Sequence, residues 1–313
     1  MQNELRKSYD SEDETIISQI APSSVGCILC PQLEVPDSIA LKERLEETYR
    51  IESKGKNGVW LCRSIVDPYP ITHPTMFKPK DSTNILQSYA AHGWSEVVIE
   101  TRDHHKELHE LPSEEIKNVL TIYAHRIKEL RKKENVAHVC VMKDNIRSEF
   151  NHSYSKIITL PIVPRKTREK MTKFNDYHYK HDDCLYCDIL KNEKLTSRNI
   201  LENEQFIVLA TYSQDLPYEV IILPKKHYTC ISEMNEFEIF TLAETLKNIL
   251  TRMSAVINPL KYIMVFHVRP NQEKDFHFHI SLGQKTLRPT LNEGYGINLS
   301  KISSEDTAKM LKG

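Results

Sequence analysis

Glycine is scarce in this 313-residue chain, with only 8 residues, and neither GxGxxG nor GxxxxGKS/T occurs. That argues against a glycine-rich phosphate-binding loop. Excess charge of either sign is also missing. Lys and Arg number 42 against 43 Asp and Glu, a net charge of −1 with the 14 His neutral. There is accordingly no electrostatic case for nucleic acid or a membrane surface as a partner. No run approaches roughly 18 consecutive apolar residues, so no bilayer-spanning segment is expected. The N-terminal MQNELRKSYDSEDE lacks an apolar secretory segment, which makes a reducing cytoplasm the expected compartment. What is present is ordinary for a globular protein, 40% hydrophobic and 27% charged, with length for two domains and a sizeable core.

Four of the seven cysteines form two CxxC pairs, Cys27/Cys30 in CILC and Cys184/Cys187 in CLYC. In a reducing compartment such pairs point to metal binding or redox chemistry rather than a disulfide framework. Cys62, Cys140 and Cys230 lie in apolar runs and are expected as buried small hydrophobes.

Apolar patterning predicts strands over Thr15–Ile20, Gly58–Val66, Ser95–Glu100, Ala137–Met142, Phe206–Ala210, Glu219–Leu223 and Tyr262–Phe266. One helix should start at a Ser113 cap, with a stripe of Ile116, Val119, Leu120, Tyr123, Ile127 and Leu130; a second should start at Asn235, with Ile239, Leu242, Leu246, Ile249 and Met253. Arg165–Asp183 is charged and unpatterned and reads as a surface linker. The pattern then repeats. Glu96–Ile116 lies on Glu219–Ile239 without a gap at an offset of 123, which sets His104 on His227. His104 to His152 is 48 residues and His227 to His277 is 50. Each half reads as antiparallel strands with an inserted helix. The expected fold class is α+β, its halves joining sheets or facing each other about a pseudo-two-fold axis.

In FNHSYSKIITLP, period-two spacing on a strand puts His152, Tyr154 and Lys156 on one face. FHFHISL, Phe276–Leu282, is its second copy. Cys27, Cys30, His104 and His152 make a Cys2His2 set suited to tetrahedral zinc, and Cys184, Cys187, His227 and His277 make a second. His92, His105, His109 and His267 complete neither set and are expected as surface residues.

CILCP, EVVIETRDHHKELHEL, HSYSKIITLPIVP, ENEQFIVLATYSQDLPYEVIILPKKH, FHFHISL and the tail NEGYGINLSKISSEDTAKMLK together resemble the galactose-1-phosphate uridylyltransferase family of the histidine-triad superfamily, which also includes ADP-glucose and dinucleotide-polyphosphate phosphorylases. The resemblance implies two tandem histidine-triad-like domains, mainly antiparallel sheets with packed helices, over 1–165 and 184–313 with 166–183 as linker. It implies zinc at the first Cys/His set and zinc or iron at the second. It further implies a nucleotide sugar and a sugar phosphate as ligands, a homodimer, and a role in galactose metabolism. The family's reaction is ping-pong nucleotidyl transfer through a histidine of an HPHxQ motif, a nucleophile that is neutral near pH 7. Here HPHxQ reads HSYSK. His152 keeps the metal position, Tyr154 takes the nucleophile's and Lys156 the glutamine's, and Asp67 stands where relatives usually carry Asn. The arginines that usually follow the Ala-Pro of the N-terminal stretch are absent. Lys156 would favour a phenolate at Tyr154 and neutralise phosphoryl charge. The resemblance thus makes Tyr154 and Lys156 the catalytic candidates, with His279 as the alternative, and Asp67, Ser155 and Lys156 the substrate-binding ones. Three functions stay open: a uridylyltransferase-type enzyme, a catalytically degenerate nucleotide or nucleotide-sugar binder, and a nucleotide phosphorylase or hydrolase.

Overall fold

A computed structural model describes residues 3–18, 27, 29–30, 46–52, 59–75, 83, 85–145, 152–193, 196–271, 276–287 and 290–312. The Ala21–Pro22 segment, Phe150–Asn151, the last two residues of the first predicted strand (19–20) and the first of the second (58) lie outside these residues. The strands are β1 Glu4–Lys7, β2 Glu14–Ile17, β3 Glu47–Glu52, β4 Trp60–Val66, β5 Ser88–Ala90, β6 Ser95–Ile99, β7 His138–Asp144, β8 Tyr154–Leu160, β9 Asn199–Glu202, β10 Phe206–Ala210, β11 Val220–Pro224, β12 Tyr262–His267 and β13 His279–Gln284. The α-helices are α1 Ser113–Leu130, α2 Arg165–His181, α3 Leu185–Glu193, α4 Glu236–Val256, α5 Thr290–Tyr295 and α6 Ser304–Lys312.

Ten strands make one antiparallel sheet in the order β3-β4-β6-β8-β7-β12-β13-β11-β10-β9, and a small sheet β2-β1-β5 stands apart. Outward from the central β7–β12 pair, the two halves of the large sheet carry the same sequence of roles. Met142 pairs with Val265 across that junction, and each faces the equivalent residue of the adjacent strand, Lys156 and Ser281. A pseudo-two-fold axis therefore passes beside Met142 and Val265.

Alternation sorts the side chains. Val98, Val139, Val141, Ile157, Val208, Ile222, Met264 and Ile280 face α1 and α4 in the main core. The stripes predicted for the two helices are the residues buried there. Asn235 caps α4 as expected, its side chain accepting from the Glu238 N–H at 3.0 Å. The cap of α1 is Pro112, one residue before the expected Ser113. The opposite face carries Trp60, Ile65, Val97, Ile99 and Tyr154 in one half, and Ile207, Leu209 and Leu223 in the other.

Two expectations change here. The gapless offset of 123 holds for the helices and for His104/His227 but not for the strands before them. Val97 pairs with Lys156 and Ile221 with Ser281, so β6 lies on β11 at an offset of 124. A one-residue slip exchanges the faces of a strand; the similar EVVI and EVII runs mask it. Second, Arg165–Asp183 is not a bare linker. Its first 17 residues form α2, which starts after Pro164 and ends at Asp182 in the left-handed region (φ 53°). Only Met171 and Phe174 of α2 are buried, packing on Phe276. A two-residue anchor in a charged helix is too narrow a stripe for periodicity to reveal.

Candidate active face and metal centres

The turn Cys27–Cys30 is closed by the Cys30 N–H donating to the Cys27 carbonyl at 3.1 Å. It brings both thiols to the imidazoles that follow β6 and precede β8. Cys27 Sγ is 3.7 Å and Cys30 Sγ 3.6 Å from His152 Nδ1, and Cys30 Sγ is 3.0 Å from His104 Nδ1. In the second cluster Cys184 Sγ and Cys187 Sγ are each 3.6 Å from His277 Nδ1, and Cys187 Sγ is 3.5 Å from His227 Nδ1. A tetrahedron with Zn–S near 2.3 Å and Zn–N near 2.0–2.1 Å has S···N edges of about 3.6 Å. These edges of the second set and the two His152 edges of the first match that length, the Cys30–His104 edge being shorter, and all ligand atoms of a set lie within 4.8 Å of one another.

The second nitrogens support the same reading. His152 Nε2 lies 2.8 Å from the Thr101 carbonyl and His277 Nε2 2.9 Å from the Pro224 carbonyl. Donation there leaves Nδ1 with its lone pair toward the thiols. With no cation, burial first and the neighbouring thiol second push Cys30 and Cys187 up to about 12. Burial opposes ionisation of Cys184 too, yet the adjacent His227 and His277 outweigh it and bring it down to about 5. A divalent cation would let both thiols of each pair ionise together. Two thiolates and two imidazoles suit zinc.

From His152 the chain enters β8. Tyr154 is 7% exposed and packs with Leu29, Trp60, Ile65, Val97 and Ile99. Lys156, two residues on, holds Asp67 at 3.2 Å from Nζ to Oδ2, both side chains buried. Asp67 also accepts from the Tyr69 N–H at 2.9 Å and the Ser95 hydroxyl at 3.0 Å. Burial raises its carboxyl pKa, and Lys156 opposes that rise. Lys156 and Asp67, the two positions where the sequence departs from the motif it resembles, thus form one contact, an ion pair. Converting only Asp67 to Asn is expected to leave an unbalanced ammonium and cost roughly 2–3 kcal/mol in urea unfolding, with Lys156→Gln on top recovering most of it. Additive losses in the double variant would contradict this coupling.

Ser155 is not brought to this face. It points to the helices, its hydroxyl 2.5 Å from that of Tyr123. Beneath Tyr154 lies a buried network that sequence reasoning missed. Lys143 Nζ donates to Glu100 Oε2 at 2.7 Å, the Tyr154 carbonyl at 3.0 Å and Ser153 Oγ at 3.2 Å. Its signal is a lysine in phase with Val139 and Val141 on a core-facing strand.

The second copy is closed. His279 is fully buried. Its Nδ1 lies 2.9 Å from the His277 carbonyl, and Lys170 Nζ lies 2.9 Å from its Nε2. Tyr186 of α3 packs edge-on against it at 4.8 Å. The segment read as a linker therefore covers the alternative catalytic residue. His267, expected at the surface, stacks on His279 at 4.3 Å between ring centroids, and His92 is buried against Trp94. His105 is exposed as expected and His109 half-buried. Of the three other cysteines, Cys62 and Cys230 are buried while Cys140 is half-buried. No described helix is long and apolar enough to cross a membrane.

Comparison with known proteins agrees with this architecture. Residues 170–297 match the family model for the galactose-1-phosphate uridyl transferase C-terminal domain. The galactose-1-phosphate uridylyltransferase of Thermotoga maritima is 24% identical over 88% of this chain and 85% of its own length. A solved uridylyltransferase superposes with a TM-score of 0.85 at 25% identity, covering 99% of this chain and 97% of the other. The ADP-glucose phosphorylase of Arabidopsis thaliana with bound ADP-glucose gives 0.79 at 22% identity, covering 100% and 98%. With the paired half-sheets and the two Cys/His sets in matching places, the chain is similar over nearly its whole length to galactose-1-phosphate uridylyltransferases, and its residues 170–297 match that family's C-terminal domain.

Proposed function

We propose that the chain acts on a nucleoside diphosphate sugar by nucleotidyl transfer of the uridylyltransferase type, on the Tyr154 face of the first half. The observation that carries this is the continuity of His152, Tyr154 and the Lys156–Asp67 pair along one strand face, anchored by the Cys27, Cys30 and His104 cluster. Cys27, Cys30, His104 and His152 would hold one zinc, which would fix the Cys27–Cys30 turn against the start of β8, and Cys184, Cys187, His227 and His277 would hold a second in the other half. The Tyr154 oxygen would attack the α-phosphorus as its proton passes to the departing hexose 1-phosphate. The bond from that phosphorus to the bridging oxygen would break, releasing a hexose 1-phosphate and leaving a tyrosyl nucleotide. A phosphate oxygen of the acceptor would then attack the same phosphorus and return the phenol. The Lys156 cation, held by Asp67, would sit beside the phosphoryl oxygens.

A second reading is favoured by a specific observation. Tyr154 lies among apolar side chains, and Asp67 already neutralises Lys156. An arrangement of that kind suits nucleotide-sugar binding without covalent turnover. Incubation with UDP-glucose and ADP-glucose labelled in the α-phosphate separates the two readings. Transfer predicts label retained on the denatured protein and lost in Tyr154→Phe. Saturable binding by calorimetry with no retained label would refute transfer and support the binder.

A further inference from the structure

A cavity of about 380 Å3 lies over the pseudo-two-fold axis, on the same sheet face as Tyr154 but beyond it. Its floor is Met142, Ile263 and Val265, and its roof is the start of α2 with Lys166 and Lys170. That volume falls within the roughly 300–1,000 Å3 of small-molecule sites.

Two polar features of its wall are incompletely satisfied. His138 is 5% exposed and its Nδ1 has no hydrogen-bond partner among the described residues. A buried ring nitrogen left unpaired costs free energy that a ligand can restore. Lys170 reaches His279 Nε2 at 2.9 Å and both nitrogens of His267 at 3.4 Å. Among the described residues no carboxylate lies within ion-pair distance of it, whereas Lys166 is paired with Asp215 at 3.1 Å. An ammonium on the imidazoles also excludes a metal cation from them. Ser281 adds a hydroxyl, itself 2.9 Å from His267 Nε2. The half-buried acid of the wall, Glu219, is occupied in accepting from the Asp215 N–H at 2.6 Å, and desolvation pushes its carboxyl up to about 7. Positive charge and donors lie at one end, and an apolar floor at the other.

We infer that this cavity is a second ligand site, separate from the Tyr154 face, for a small phosphate monoester carried on an apolar or aromatic body, with Lys170 and His138 at the phosphate and Ile263 and Val265 beneath the body. It goes beyond the transfer reading and does not depend on it. Calorimetric titration of the metal-loaded protein with phenyl phosphate tests it, since this probe lacks the base and sugar of a nucleotide. One saturable site per chain is expected. Lys170→Met should weaken it at least about tenfold, the scale of a lost charged hydrogen bond. Lys170→Arg should retain it, and Tyr154→Phe should leave it unchanged. Val265→Trp fills the floor without touching a charge and should abolish it, with thermal melts of both variants showing that they fold. No saturable binding, binding indifferent to both Lys170→Met and Val265→Trp, or inorganic phosphate binding as tightly as the ester would each overturn the assignment.

Discussion

Cys27→Ser is expected to halve the metal content of the purified protein, from two zinc atoms per chain to one, and to lower its melting temperature by roughly 4–6 °C. The geometry argues for an effect of this size. Cys27 and Cys30 are held on the sheet through His104 and His152, and His152 leads directly into β8. Structural zinc supplies about 10–16 kcal/mol of apparent binding free energy in zinc-finger peptides, and that energy is folding energy. Forfeiting even about 3 kcal/mol of it shifts the midpoint by the stated amount in a domain of this size. Elemental analysis and a thermal melt decide the matter. A variant with unchanged metal and an unchanged melt would show that the cluster holds no structural ion.

Lys143→Met should cost about 3–5 kcal/mol in urea unfolding. The Lys143 and Glu100 side chains are 1% and 0% exposed. Truncating one partner strands a charge in the core, which is far worse than removing both. Glu100→Gln in the Lys143→Met background is therefore expected to restore at least half of the loss. Because Lys143 also holds the Tyr154 carbonyl, the single variant should loosen the start of β8, seen as faster amide exchange there. A single variant as stable as the parent would mean that the pair contributes nothing.

The parts of this molecule that can be read from the sequence are those written in short, repeated patterns. The helix stripes, the CxxC turns and the alternating HxY and HxH strands each state their geometry within a few residues, and the Cys/His sets lie together as expected. What cannot be read depends on partners far along the chain. Lys156 reads as a free cation beside Tyr154, and Asp67, 89 residues earlier, occupies it. Ser155 sits between two site-facing residues, and strand alternation turns it to Tyr123 instead. The register slip between β6 and β11 is hidden because Val97–Ile99 fall on apolar residues at either offset. The helix α2 gives no periodic signal because two apolar residues among seventeen hold it down. His267 reads as unattached because its partners, His279, Ser281 and Lys170, are not its neighbours in the chain.

The β7–β12 junction has a mechanical consequence. Proteins that capture ligand by closing two lobes bend at a few residues in a loop between separately packed bodies. Here the lobes share a ladder of main-chain hydrogen bonds at the middle of the sheet, from Val141–Phe266 to Asp144–Ile263. Bending there would break the ladder and tear the core that α1 and α4 share beneath it. The sheet must therefore behave as one stiff plate. Any motion that admits a ligand to the face under α2 has to come from what lies on the plate, the tilt of α2 on its two apolar anchors.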